Sequence, residues 1–215
     1  MQMSTERNPE NTRFKILKAA FAEMHQHGFQ GMRVDQVLSR TGLKKGALYH
    51  HFPSKQALGY AVLEELIEKR IRELWIDPLA DFDDPLEGIY VLYERIGDVW
   101  SDEFFALGCP LNKLAQEMSP IDGGFRERIG RFFRLWQKAV SKALLQGQSR
   151  GIVKPEIQPD DCALFVVAAI EGALGMTKIL GDKAVYKRGK GELKRYLESL
   201  RLDIESMTND SWEEE

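Results

Sequence analysis

The chain has 215 residues, 43% of them hydrophobic and 29% charged, with a formal net charge of -3. The length suits one large domain or a small one joined to a larger one, and the composition excludes disordered, fibrous and low-complexity chains. Two cysteines, Cys109 and Cys162, exclude a disulfide scaffold and a four-cysteine zinc module, and the four histidines show no His-Glu-x-x-His spacing. No metal and no cofactor is expected.

Residues 1–10 are polar and lack the apolar centre of a secretory signal. The first helix is predicted from a cap at Asn8 with Pro9 behind it. Phe14, Leu17, Phe21 and Met24 repeat at three- and four-residue steps, and Gly28 ends the helix as a left-handed residue. A second helix reads from Arg33 to Thr41, broken by Gly42, and a third from Lys45 to Tyr49, with Pro53 preventing extension. Ser54 opens a long helix to Ile76. Leu86–Trp100, Pro110–Met118 and Phe125–Arg150 are the next helices. Residues 161–181 are the most apolar stretch, but Glu171, Lys178 and three glycines interrupt it. They read as a buried or interface helix rather than a membrane span, which needs about 20 mostly apolar residues. Gly189-Lys190-Gly191 reads as a turn before a last helix, Glu192–Met207, and residues 208–215 form an acidic, frayed tail. The fold class is all-α, about nine helices, and the expected location is cytoplasmic.

Charge is unevenly spread. Residues 1–58 hold nine Lys/Arg against four Asp/Glu, while the remainder holds 21 against 29. A basic end on an acidic body points to an anionic polymer as partner. The same end carries three short helices, the second and third joined tightly at Gly42-Leu43, which is a helix-turn-helix plan. Leu48 faces the core, which leaves Lys44, Lys45, Gly46, Ala47, Tyr49 and His50 outward. Small residues admit close backbone approach, lysines meet phosphates, and an aromatic hydroxyl can reach a base edge. Tyr49 could equally be a core residue, and His51 and Phe52 read as packing.

Gly28-Phe29, Met32-Arg33-Val34 and the run Thr41-Gly42-Leu43-Lys44-Lys45-Gly46-Ala47-Leu48-Tyr49-His50-His51-Phe52-Pro53-Ser54-Lys55-Gln56-Ala57-Leu58 resemble the TetR family of transcriptional regulators. The resemblance implies a helix-turn-helix DNA-binding domain over residues 1–53 and a ligand-binding and dimerisation domain over 54–207. It implies a homodimer that binds palindromic operator DNA, most often as a repressor, and is released by an unknown small-molecule effector. The dimer would form through the helices at 160–180 and 192–207. Arg33, Gln36, Thr41, Lys44, Lys45, Gly46, Ala47, Tyr49, His50 and Lys55 would contact DNA, with Arg40 flanking the groove. Leu38 departs from the family pattern, replacing a small Ala frequent in the second helix, and two further departures bear on the DNA surface. Lys44 stands where a Ser or Thr usually caps the third helix, and Arg33 where a Thr often precedes the second. Each lost hydroxyl weakens capping by roughly 1 kcal/mol, while each added charge offers a phosphate contact.

In the body, Phe104, Cys109, Asn112, Phe132, Trp136 and Glu171 are the candidate effector contacts. Most pocket walls are apolar, with a few polar groups to orient the ligand. Glu171, inside an apolar run, could accept from a ligand or pair across the dimer. Cys109, ahead of Pro110 at a helix start, opens an alternative: a repressor that senses electrophiles or oxidants through this thiol. An all-α enzyme is a further alternative, without a recognisable nucleophile–base pair or phosphate loop. A helical scaffold that binds only protein would leave the basic end unexplained.

Overall fold

A computed structural model describes residues 9–203. The cap expected at Asn8, residues 204–207 of the last expected helix, and the tail 208–215 lie outside the described residues. Those residues are helical apart from loops and one isolated antiparallel pairing of Val153 with Arg201, so the fold is all-α. The helices are α1 (Pro9–Gly31), α2 (Val34–Thr41), α3 (Lys45–His51) and α4 (Lys55–Ala61). The last runs on through a π-helical turn (Val62–Ile67), α5 (Glu68–Ile71), a second π-helical turn (Arg72–Ile76) and a 3-10 turn (Asp77–Asp81). Then come α6 (Pro85–Val99), α7 (Asp102–Leu107), α8 (Pro110–Met118), α9 (Gly123–Ser149), α10 (Pro159–Leu180) and α11 (Lys183–Ser199).

The chain forms two compact units. One takes the residues up to Arg70 together with Cys109–Phe132, the other Ile71–Gly108 together with the residues from Phe133 onward. In the first, α1 is the hub on which α2, α3, α4 and α8 pack. Ile16, Leu17, Ala20 and Met24 form its buried stripe at helical spacing. Val37 of α2 and Leu48 of α3 are fully buried, with Phe52 behind them. Truncating a side chain such as Leu48 to alanine costs about 2–5 kcal/mol. In the second unit, α10 packs on α11 and α7, and α6 packs on α11. Its core runs as a chain of rings. Trp136 lies 4.7 Å from Trp75, and Tyr93 lies 4.7 Å from Tyr186, which lies 5.0 Å from Phe105.

Four elements differ from the sequence expectations. Gly28 does not end α1 in the left-handed region. Its φ of 78° and ψ of 172° kink the chain, and a last helical turn follows to Gly31. The long helix after Ser54 is not uniformly α. Ser54 caps it as expected, accepting the Ala57 N–H at 3.0 Å, but two π-helical turns interrupt it. The segment before Gly108 carries an extra helix, α7, capped by Ser101 through the Phe104 N–H at 3.2 Å. The last helix starts at Lys183, where Asp182 accepts the Ala184 N–H at 2.8 Å, and it ends at Ser199. Gly189 lies inside it, not in a turn, because a Cβ there would come within 2.9 Å of the Ala173 side chain on α10. Beyond Ser199 the chain leaves the helix to pair with residues 152–154. Leu202 N–H donates to the Ile152 carbonyl at 2.8 Å, and Lys154 N–H to the Leu200 carbonyl at 2.9 Å.

Among the described residues, α10 is the one helix long and apolar enough to cross a membrane by length and composition. One of its faces, including Val166, Ile170 and Leu174, is packed inside the protein.

Candidate functional site

The turn between α2 and α3 is set by Gly42, whose φ of 67° and ψ of 16° lie in the left-handed region that a Cβ disfavours. Its N–H donates to the Leu38 carbonyl at 2.9 Å, and the Thr41 hydroxyl donates to the carbonyls of Val37 (2.9 Å) and Leu38 (3.1 Å). Neither short helix has a side-chain cap. Arg33 and Lys44 occupy the two cap positions in extended conformation without capping bonds. The two helices are therefore held by what they bury, Val37 and Leu48 against α1.

Opposite Leu48, α3 turns its polar side to solvent. Lys44, Lys45, Gly46 and His50 are exposed and Ala47 is half-buried. Tyr49 is 37% exposed, which answers the question of whether it is a core residue. The Lys45 ammonium lies 5.9 Å from the Tyr49 ring centroid, within cation–π range. A Cβ on Gly46 would meet nothing within 4 Å. No internal contact demands a glycine there, although glycine costs a helix interior roughly 1 kcal/mol relative to alanine. On α2, Arg33 and Gln36 are exposed and Thr41 is half-buried.

Three other bases of this unit are engaged internally. The Arg13 guanidinium pairs with Glu65 through two bonds, and Arg40 pairs with Glu23 at 2.9 Å. Lys55 is half-buried, its Nζ donating to the Gln30 carbonyl at 2.9 Å and lying 5.2 Å from the Phe29 ring. The exposed cations around α2 and α3 are thus Arg33, Lys44 and Lys45, with Arg40 partly exposed beside its partner.

Residues 16–62 match the family described as bacterial regulatory proteins, tetR family, and residues 85–192 match the tetracyclin repressor-like C-terminal domain. The chain belongs to the TetR family of transcriptional regulators. It is accordingly a helix-turn-helix, DNA-binding regulator and not an enzyme. Curated relatives of this TetR-family chain include the transcriptional repressor DhaR of Mycobacterium sp. (strain GP1). It is 27% identical over 191 residues, covering 86% of this chain and 90% of DhaR. The transcriptional regulator LmrA of Bacillus subtilis is 30% identical over 166 residues, covering 76% and 85%. A solved TetR transcriptional regulator from Chloroflexus aurantiacus superposes with a TM-score of 0.81 at 25% identity, covering 92% of this chain and all of that one.

The six candidate effector residues of this TetR-family regulator divide between the units. Cys109, Asn112 and Phe132 belong to the first. Cys109 is a half-buried residue at the N-cap of α8, and Asn112 accepts from the Gln116 amide at 3.4 Å. Phe132 is fully buried, with the Arg131 guanidinium 5.0 Å from its ring centroid. Phe104, Trp136 and Glu171 belong to the second. Phe104 packs on Trp100 at 4.1 Å, Trp136 is buried on Trp75, and Glu171 is 7% exposed on the inward face of α10.

Sequence reasoning passed over Tyr93 and Tyr186, which lie among the rings of the second unit. The Tyr186 hydroxyl donates to the Tyr93 carbonyl, and burial raises both phenols above their ordinary range. Two buried tyrosines 93 residues apart leave no local signal. A cleft of about 430 Å³ in this unit is lined by Ile76, Leu79, Ala139, Lys142 and Arg150 among others, and it includes none of the six candidates.

Proposed function

We propose that the protein is a homodimeric repressor that binds palindromic operator DNA through α3 and is released when a small molecule occupies its second unit. The observation that carries this reading is the exposed face of α3. Lys44, Lys45, Gly46, Tyr49 and His50 stand outward over the buried Leu48. Lysines there neutralise phosphates, Tyr49 and His50 offer polar atoms to base edges, and Gly46 and Ala47 admit close approach to the groove. Arg33, Gln36 and Thr41 flank the same groove from α2. Lys55 can keep one proton on the Gln30 carbonyl and turn another to a phosphate.

The outer face of α10 supports the dimer. Leu164, Phe165, Met176, Ile179 and Leu180 are exposed, from 49% to 76%. Ala168, Gly172 and Gly175 between them allow a second helix to approach closely. The partner helix in that interface is α11 with its observed bounds, Lys183–Ser199. In the dimer, two copies of α3 would meet successive major grooves about 34 Å apart. An effector releases the DNA only to the extent that it binds the released state more tightly. Phe104, Trp136 and Glu171 are the proposed effector contacts in the second unit. The expected location is the cytoplasm.

The test is titration of labelled DNA flanking the protein's own coding region, at two salt concentrations. Site-preferring binding with a steep salt dependence supports the reading. Binding to no duplex, or sedimentation as a monomer at micromolar concentration, contradicts it.

A further inference from the structure

Two side chains one helical turn apart on α8 hold the two sides of the kink in α1. The Lys113 ammonium donates to the His25 carbonyl at 2.7 Å and the Gln26 carbonyl at 3.0 Å, just before Gly28. The Glu117 carboxylate accepts the backbone N–H groups of Phe29 and Gln30, both at 2.8 Å, just after it. A cation thus sits on the carbonyls that close one helical run, and an anion on the amides that open the next, as the helix dipoles favour. Gly28 is confined twice over. Its φ is +78°, and a Cβ would stand 2.6 Å from a Glu117 oxygen. The Gln30 carbonyl is taken in turn by Lys55. Three residues after Gln30 the chain reaches Arg33, the N-cap of α2. The course of the chain into the helix-turn-helix is therefore fixed by groups outside that motif.

We infer that Lys113 and Glu117 are positioning residues for operator binding. By clamping the kink at Gly28 they set the direction in which α2 leaves α1, and hence how α3 is presented, without touching DNA themselves. Both make charge-assisted bonds to backbone groups, so they define a conformation and not merely a charge balance. This rests on the operator-binding reading above.

The experiment uses the full-length protein with Lys113→Met and Glu117→Gln. It measures affinity for the duplex flanking the coding region and for a scrambled duplex of equal length and composition, at one salt concentration, with thermal midpoints alongside. Each variant is expected to lose about tenfold in affinity for the flanking duplex, the scale of one charge-assisted bond. Scrambled-duplex binding should stay within about twofold, because Lys44 and Lys45 still meet phosphates. A parallel loss on both duplexes with a lowered midpoint would mean a purely structural role and overturn the inference, as would unchanged affinity on both. In the unmodified protein, hydrogen exchange at the Phe29 and Gln30 amides should slow on binding the flanking duplex and not the scrambled one. Equal exchange in the two complexes would also overturn it, and this arm stands if a variant fails to fold. An unmodified protein that prefers no duplex would instead take down the operator reading, and this inference with it.

Discussion

The guanidinium of Arg40 lies 2.9 Å from the carboxylate of Glu23, whose side chain is only 3% exposed on α1. Arg40 itself is about half exposed. The pair ties the end of α2 to the hub of its unit, so a residue that charge counting alone would assign to the DNA surface also has a structural partner. Replacing Arg40 with methionine strands a buried carboxylate. The expected cost is about 2 kcal/mol, below the range for fully buried pairs because water reaches the arginine. Urea denaturation should show the loss, and Arg40→Met combined with Glu23→Gln should recover part of it. A double variant no more stable than the single one would contradict the pairing as the cause.

Lys45 is expected to act by charge. Lys45→Ala should weaken binding to all duplexes at low salt and flatten the salt dependence. With one phosphate contact per protomer, the slope of log affinity against log salt should fall by roughly two per dimer. Fluorescence anisotropy at four or five salt concentrations would measure it. An unaltered slope would place Lys45 away from phosphate.

Gly46→Ala separates folding from binding. The added methyl meets no atom of the protein within 4 Å. Stability should therefore rise by up to about 1 kcal/mol from helix propensity. Operator affinity should drop if the backbone there approaches the duplex closely. A stabilised protein with full affinity would remove Gly46 from the contact surface.

Gly42→Ala should do the reverse. The left-handed conformation at this turn penalises any Cβ, so stability should fall by about 1–2 kcal/mol, read from thermal or urea melts. A neutral substitution would show that the turn relaxes to another geometry.

Asp122 carries a pH-dependent contribution. Desolvation pushes its carboxyl up. Against this, bonds from the Phe125 N–H (2.9 Å), the Tyr60 hydroxyl (2.8 Å) and the Gln56 amide (2.7 Å) bring it net below its ordinary value of 3.8. A lowered folded-state value means that the stabilisation is fully present above the unfolded value near 3.8. It is lost as the pH falls through the lower folded value. Asp122→Asn should therefore lower stability near neutral pH and flatten the acid limb of the stability curve below about pH 4. Parallel acid limbs in the two proteins would count against this assignment.

The α2–α3 motif was legible because its signals are local: the Gly42 turn, the apolar positions at Val37 and Leu48, and the outward polar run between. The missing caps at Arg33 and Lys44 were legible for the same reason. Gly189 misled because a glycine marks either a turn or a close helix approach, and only the position of Ala173 decides between them. The kink at Gly28 was anticipated as a break, but its form depends on Glu117, 88 residues downstream of Phe29. The internal engagement of Arg13 and Lys55 likewise depends on partners that the linear order does not bring near. Effector residues are hardest to read, since an aromatic side chain that lines a pocket and one that fills a core look alike in sequence.

The clamp from α8 onto α1 bears on engineering. A segment cut at residue 53 would carry every helix of the DNA-reading motif, yet leave behind both charged groups that close its bend. Chimaeras that transplant only this segment onto a foreign sensor should inherit the reading surface with its orientation unset. Transplants that bring residues 109–132 along should keep it.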